Sequence, residues 1–168
     1  YLPENIRAYG FLRVEEFIGF HAELTGIARV KQRETVEESM RAVGIEGYRK
    51  KRIAALSKGM LQRVGICQAF IGRPKLLLLD EPASGLDPIG IHELRVHLQQ
   101  LKAEGATIFL NSHLLSEVER TCDRIAILSR GTIIKIGSRS DTTAVDRHLE
   151  ILLDGFTDAM ERALAPLC

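Results

Sequence analysis

LLLLDEP, residues 76–82, is the stretch of this sequence that decides its fold class. Its four leucines predict a short strand buried on both faces, and Asp80 and Glu81 follow at the point where that strand ends. Adjacent carboxylates in that place suit a site that holds a metal ion and activates a water. A core strand that simply meets solvent at an acidic turn would show the same residues. The neighbouring segments are needed to distinguish a metal site from such a structural turn.

The composition is that of an ordinary globular domain. The 168 residues are 45% hydrophobic, and 23 basic residues nearly balance 22 acidic ones. A net charge of +1 provides no bulk attraction for nucleic acid, which we do not expect as a partner. Three scattered cysteines without a CxxC pair indicate reduced cytoplasmic thiols. No apolar run is long enough to cross a bilayer, so we expect any membrane role to depend on a partner.

The first seventy residues predict three helices. Apolar residues recur there with helical spacing, and a glycine follows each run. We expect these helices over residues 13–24, 34–43 and 57–71. The buried stripe of the first should consist of Val14, Phe17, Ile18, His21 and Leu24.

The pattern changes after Lys75. The strand 76–80 is followed by Asp87-Pro88, a helix cap with the favoured first-turn proline, and then by a second apolar strand. Strand–helix–strand order predicts a parallel pair with a right-handed crossover, so this half is α/β. The later elements that we expect are a strand over 107–110, a helix over 114–121, a hairpin of strands 124–129 and 132–136, a strand over 148–153 and a helix over 157–164.

Four short motifs occur in a fixed order around the acidic strand end. They are YLPE at 1–4, LSKGMLQRV at 56–64, DEPASGLDP at 80–88 and NSH at 111–113. Any one of these short motifs can occur by chance. Together they resemble the ATP-binding subunit of an ABC transporter, over residues 1 to about 137.

The resemblance implies a fold and a division of the chain. The fold is a partial P-loop NTPase (RecA-like) core with a parallel sheet, α/β, into which an ABC-type α-helical subdomain is inserted. The implied divisions are a Q-loop region at 1–9, the helical subdomain at 10–72 with the signature at 56–60, the catalytic α/β core at 73–137 and a C-terminal tail at 138–168.

The resemblance also implies roles for three residues around the strand ends. Asp80 would hold Mg²⁺, and Glu81 would orient and deprotonate the water that attacks the γ-phosphate of ATP. His113 corresponds to the family's switch histidine, which contacts the γ-phosphate and the catalytic glutamate. Standing alone, His113 would be read as an ordinary, partly buried histidine.

Ser57, Lys58, Gly59 and Met60 correspond to the family signature, usually written Leu-Ser-Gly-Gly-Gln. Lys58 replaces the first glycine and Met60 the glutamine, a variation that occurs among export-type members. In this family the signature contacts the nucleotide bound to the opposite subunit, so it implies a dimer. A capped helix start would also explain the serine, because Ser57 is a good N-cap.

Two further residues are assigned by the resemblance. Ser84-Gly85-Leu86-Asp87 is similar to the D-loop, so Asp87 joins the nucleotide-binding set while it also suits a helix cap. Glu4 stands where the family usually has the glutamine of its Q-loop, and we expect it to contact the metal ion.

The phosphate-binding loop G-x-x-x-x-G-K-[ST], called Walker A, does not occur in the 168 residues. The family places that loop upstream of the Q-loop. We therefore expect that the chain lacks the start of its parent protein. Because that loop supplies most of the nucleotide affinity, this polypeptide alone should bind ATP feebly and hydrolyse it negligibly.

The resemblance implies an ATP-hydrolysing subunit that powers transport across a membrane, and the signature variant favours export. ATP and Mg²⁺ would be its cofactors, and a second ATP-binding subunit and transmembrane permeases its partners at the cytoplasmic face of the membrane. Two alternatives remain open. One is the ATPase head of an SMC-type DNA-maintenance protein, although the segment between Glu4 and Ser57 lacks sustained heptads. The other is a non-catalytic regulatory module with the same fold.

Overall fold

The computed structural model describes residues 1–138, and the strand and helix expected at 148–153 and 157–164 lie outside them. Short 3₁₀ turns at Glu46–Tyr48 and Ile53–Ala55 precede the signature. The longer elements of the described part are, in order, α1 Val14–Leu24, α2 Arg29–Ala42, α3 Lys58–Phe70, β1 Leu76–Asp80, α4 Pro88–Ala103, β2 Thr107–Asn111, α5 Leu115–Thr121, β3 Arg124–Ser129 and β4 Thr132–Ser138.

Helices α1, α2 and α3 pack against one another and form the helical part of the fold. Val14, Phe17 and Ile18 of α1 are buried as expected, but the stripe does not continue to Leu24. Leu24 is 66% exposed, and Ala22 is fully buried instead. The expected stripe is wrong at its end because Leu24 lies in the last turn, where the chain leaves the helix and its side chain points away from the core.

Helix α2 begins at Arg29 rather than at the expected Glu34. Ala28 precedes it and offers no capping side chain. Gln32 in its first turn donates a hydrogen bond from its side-chain amide to the carbonyl of Ile27 at 3.0 Å, which ties the helix to the preceding segment without capping its N–H groups. The start was missed because the usual Ser, Thr, Asp or Asn at the cap position is absent.

Strands β1 and β2 form the expected parallel pair, with Leu76 beside Thr107 and Asp80 beside Asn111. On the other side of β1, Leu2 forms a parallel bridge with Leu79. Strands β3 and β4 form the expected antiparallel hairpin. Mixed α/β architecture with a parallel sheet is therefore confirmed.

Only one face of β1 is buried within residues 1–138. Leu77 and Leu79 are 0% and 2% exposed and belong to the core that α3 and α4 share, whereas Leu76 and Leu78 are 56% and 42% exposed. Phe109 of β2, on the neighbouring strand, is 65% exposed. The expectation of burial on both faces is wrong for this part of the chain, because the described helices cover the sheet from one side.

Within the same residues, none of the helices combines the length and the apolar character that crossing a membrane requires.

Candidate active site

The carboxyl ends of β1 and β2 bring the expected catalytic residues together. Asp80 ends β1 and lies beside Asn111, which ends β2. The side-chain amide of Asn111 donates a hydrogen bond to Oδ1 of Asp80 at 2.7 Å, and the backbone N–H of Glu81 donates to the carbonyl of Asn111 at 2.9 Å. Parallel pairing thus fixes Asp80 and Glu81 against the segment that carries His113.

The backbone of Glu81 adopts a left-handed conformation with φ of 47°. This region is uncommon for residues other than glycine, and it persists where the surrounding contacts determine the turn. The side chain is 15% exposed, and its Oε1 accepts a hydrogen bond from the backbone N–H of His113 at 2.8 Å. Glu81 is therefore bound to the β2 segment through both its backbone and its carboxylate.

The second carboxylate oxygen of Glu81 lies beside the ring of His113. Oε2 is buried and lies 2.8 Å from Nδ1, so the carboxylate and the ring are in direct contact. The backbone and the ring of His113 thus hold the carboxylate of Glu81 in one position at the strand edge, which suits a general base. The ring itself is 75% exposed and accessible to a ligand.

The donor set at this edge fits Mg²⁺ held together with nucleotide phosphates. Mg²⁺ prefers carboxylate oxygens, and in phosphate-transfer sites it usually takes one or two carboxylates from the protein. Asp80 is partly exposed, and Asn111 donates its hydrogen bond to only one of the two carboxylate oxygens of Asp80, Oδ1. Within the described residues, no group of three or more His, Cys, Asp or Glu side chains is placed to hold a metal ion.

Glu4 lies near the same edge of the sheet. The backbone N–H of Leu2 donates to Leu78, and that of Asp80 donates to Leu2, both at 2.9 Å, so the first residues run alongside β1. Glu4 is exposed and follows Leu2 in the direction of the carboxyl edge. Its assignment as a metal contact stays a prediction.

The signature residues lie at the start of α3, against the D-loop of the same chain. Ser57 caps the helix, and its hydroxyl accepts a hydrogen bond from the backbone N–H of Met60 at 3.3 Å. A Cβ at Gly59 would come within 2.6 Å of the carbonyl oxygen of Gly85, and the side chain of Lys58 packs next to Gly85. Glycine at 59 is therefore required by the close approach of the two loops.

Asp87 caps α4, as expected. Its Oδ1 accepts a hydrogen bond from the backbone N–H of Gly90 at 3.0 Å and lies 3.5 Å from a guanidinium nitrogen of Arg63. The nucleotide contact assigned to Asp87 stays a prediction.

Three residues that contact the site were not among the sequence candidates. Asn111 could have been found, because a polar residue at the end of the second strand must lie near the first. Gln62 and Arg63 follow the signature in α3, and the sequence pattern does not show that they reach Pro82 and Asp87.

Comparison with known proteins identifies the family of this chain. A family model described as ABC transporter matches residues 1–84, half of the chain, including the signature and the end of β1. This chain belongs to the ABC transporter family. The sequence-based assignment is confirmed.

Curated relatives extend the likeness beyond the matched half. An ABC transporter ATP-binding protein of Synechocystis sp. is 43% identical over 157 residues, which cover 92% of this chain and 44% of that protein. The bacitracin transport ATP-binding protein BcrA of Bacillus licheniformis is 38% identical over 132 residues, covering 73% of this chain and 43% of BcrA. The chain thus spans somewhat less than half the length of these relatives.

A solved structure of an ATP-binding subunit of an ABC transporter supports the fold assignment. It is 35% identical to this chain with a TM-score of 0.78, and the match covers 84% of this chain and 59% of the other. The α/β fold of an ABC ATP-binding subunit is therefore confirmed.

Proposed function

We propose that this chain carries the hydrolytic residues of an ATP-binding subunit that drives transport across a membrane. Hydrolysis needs a phosphate-binding loop, which the 168 residues do not contain. The activity is therefore proposed for the protein that joins this chain to such a loop, called the parent subunit below. The observation that carries the proposal is the largely buried carboxylate of Glu81, held at the strand edge by the backbone N–H of His113 and in contact with its exposed ring.

Glu81 is the general base in this proposal. Its Oε1 is held by the backbone N–H of His113, so Oε2 has a fixed direction and can accept a proton from a water. As that water's oxygen bonds to the γ-phosphorus, the bond to the bridging oxygen of ADP breaks and the proton moves to Glu81. Positioning of the water is the main contribution, because phosphoryl transfer requires little covalent chemistry from the protein.

His113 and Asp80 are the other two residues that we propose act at the carboxyl edge of β1 and β2. The exposed ring of His113 can donate a hydrogen bond to the γ-phosphate and stabilise its charge. Asp80, with Glu4 as a further candidate, would hold Mg²⁺, which supplies charge neutralisation on the phosphates when it is bound. The hydrogen bond from Asn111 keeps the Asp80 carboxylate oriented for that purpose.

Partners and direction of transport are part of the same proposal. The start of α3, residues 57–60, would contact the nucleotide of a second ATP-binding subunit, and permease subunits would bind the pair at the cytoplasmic face of the membrane. The signature variant favours export, and the name of BcrA, a bacitracin transport ATP-binding protein, agrees with a role in transport.

Phosphate release by the parent subunit, purified together with its membrane partner, tests the proposed function. We expect continuous release of phosphate from ATP that stops when Mg²⁺ is chelated. A protein that binds Mg-ATP firmly without releasing phosphate would contradict the proposal and favour a regulatory module.

The 168-residue chain alone should bind Mg-ATP too weakly for a micromolar dissociation constant, because the backbone cradle and lysine of the phosphate-binding loop are absent from its sequence. Isothermal titration calorimetry of the purified chain measures this directly. Micromolar affinity would refute the expectation and indicate another phosphate site within these residues.

A further inference from the structure

Gln62 is the buried polar side chain that stands out among residues 1–138. It is 3% exposed and lies in α3, one turn after the signature. Its side-chain amide nitrogen donates a hydrogen bond to the carbonyl of Pro82 at 2.9 Å and lies 3.4 Å from the carbonyl of Glu81. An amide carries two N–H groups, so one side chain can serve both carbonyls.

These two carbonyls belong to the turn that aims the catalytic carboxylate. Glu81 has the left-handed backbone described above, a conformation that needs support from its surroundings. The carbonyl of Glu81 also accepts a hydrogen bond from the backbone N–H of Ser84 at 3.0 Å, so the carbonyl of Pro82 is the one that depends most on the amide of Gln62. A buried carbonyl without a donor is costly, so this amide favours the turn over others that would move the carbonyl of Pro82 away. Removing the donor should let the turn relax and change the direction of the Glu81 side chain.

The helix that carries Gln62 also contacts the D-loop. Gly59 in its first turn packs on the carbonyl of Gly85, and Arg63 lies 2.6 Å from Glu93 of α4 and donates to the carbonyl of Val43 at 2.9 Å. Helix α3 is thereby bound to the helical part, to α4 and to the turn after β1. Within α3, Gln62 is the residue whose side chain donates to the carbonyls of Glu81 and Pro82.

We propose that Gln62 is a positioning residue for Glu81, which links the direction of the catalytic carboxylate to the placement of the signature helix. The proposal rests on the proposed function, since it assigns a residue that supports the general base. It predicts that loss of the amide lowers turnover through Glu81 while nucleotide binding is kept.

The test compares Gln62→Met with Gln62→Glu in the parent subunit. Methionine keeps the approximate shape without a donor, and glutamate replaces the donating nitrogen with an oxygen that repels the two carbonyls. We expect both variants to lower kcat tenfold or more, with the KM for Mg-ATP changed less than about threefold, because small displacements of a catalytic group cost up to about a hundredfold. An unchanged kcat in both variants would overturn the proposal.

Val64→Ala is the matched control for general loosening of α3. Val64 is fully buried in the same helix, and truncating it removes core contacts. We expect a lower melting temperature with kcat within about threefold of the wild type. An equal loss of kcat in Val64→Ala and Gln62→Met would show that Gln62 only stabilises the fold.

Measuring Gln62→Met in the Glu81→Gln variant shows whether the loss of kcat depends on the Glu81 carboxylate. There, Gln62→Met should add no more than about a twofold loss, because the carboxylate that it positions is already gone. A loss as large as in the wild-type background would contradict the proposal.

Hydrogen–deuterium exchange without nucleotide gives a readout that needs no turnover. In Gln62→Met, exchange should become faster at residues 81–87 while it stays the same at residues 107–110. If the wild type proves inactive but this change occurs, the proposed function fails and the positioning role stands. If the wild type hydrolyses ATP and exchange at residues 81–87 is unchanged, the positioning role fails alone.

Discussion

Replacing Glu81 with glutamine in the parent subunit should leave Mg-ATP binding intact and lower its turnover by a hundredfold or more. General bases contribute about 10²–10⁴ in rate, and an amide cannot accept the proton of the attacking water. Glutamine keeps the length of the side chain and an acceptor for the backbone N–H of His113, so the turn should be preserved. Steady-state phosphate release and nucleotide binding, measured on the same preparation, separate the two effects.

Glu104→Gln is a suitable control for that comparison. Glu104 follows α4 and precedes β2, so it lies at the opposite end of the strand from the site and is exposed. The same change of charge there should leave turnover within about twofold. Near-normal hydrolysis by Glu81→Gln would refute the assignment of Glu81 as the base.

Replacing His113 with alanine should lower turnover by about a hundredfold, as removal of a single donor to developing charge does in other enzymes. The ring nitrogen Nδ1 is 2.8 Å from Oε2 of Glu81, and the exposed remainder of the ring can reach the phosphate. The backbone N–H of residue 113 would still hold Oε1, so the loss reports on the ring. Saturating Mg-ATP should be used, so that kcat is measured apart from binding.

His92→Ala is the matched change for His113. His92 is an exposed histidine in α4, and the described residues give it no hydrogen bond or ion pair to Glu81. We expect its turnover to equal that of the wild type. Full activity of His113→Ala would mean that the backbone at residue 113 is the part that matters and that the ring has no catalytic role.

Much of the fold could be predicted because local sequence rules agree with the tertiary structure. The leucine run gave β1 with its observed bounds, Leu76–Asp80. Ser57 and Asp87 cap α3 and α4 as expected, each accepting a hydrogen bond from the third backbone N–H that follows. Strand–helix–strand order was sufficient for the parallel pair.

Other features depend on contacts that no local pattern records. An apolar strand indicates burial, but which face is covered depends on where the packing elements lie, so Leu76 and Leu78 were predicted buried and are exposed. The start of α2 was not predicted because Ala28 stands at its cap position and provides no side-chain cap.

The sequence predicted which residues form the site, but it did not predict the hydrogen bonds between them. The order of the motifs identified Asp80, Glu81 and His113 as candidates. The hydrogen bond between Asn111 and Asp80 joins residues 31 positions apart and follows only from the strand register. Gln62 follows the signature in the sequence, but its burial emerges only when α3 packs beside the turn after β1.

The central claim is that Glu81 and His113 act as one hydrolytic unit at the carboxyl edge of β1 and β2. A double-mutant cycle of phosphate release in the parent subunit tests it most directly. Residues that act as a unit are strongly non-additive, so the account predicts that Glu81→Gln with His113→Ala is within about threefold of Glu81→Gln alone. Losses that multiply, so that the double variant is slower by the product of the two single effects, would contradict it.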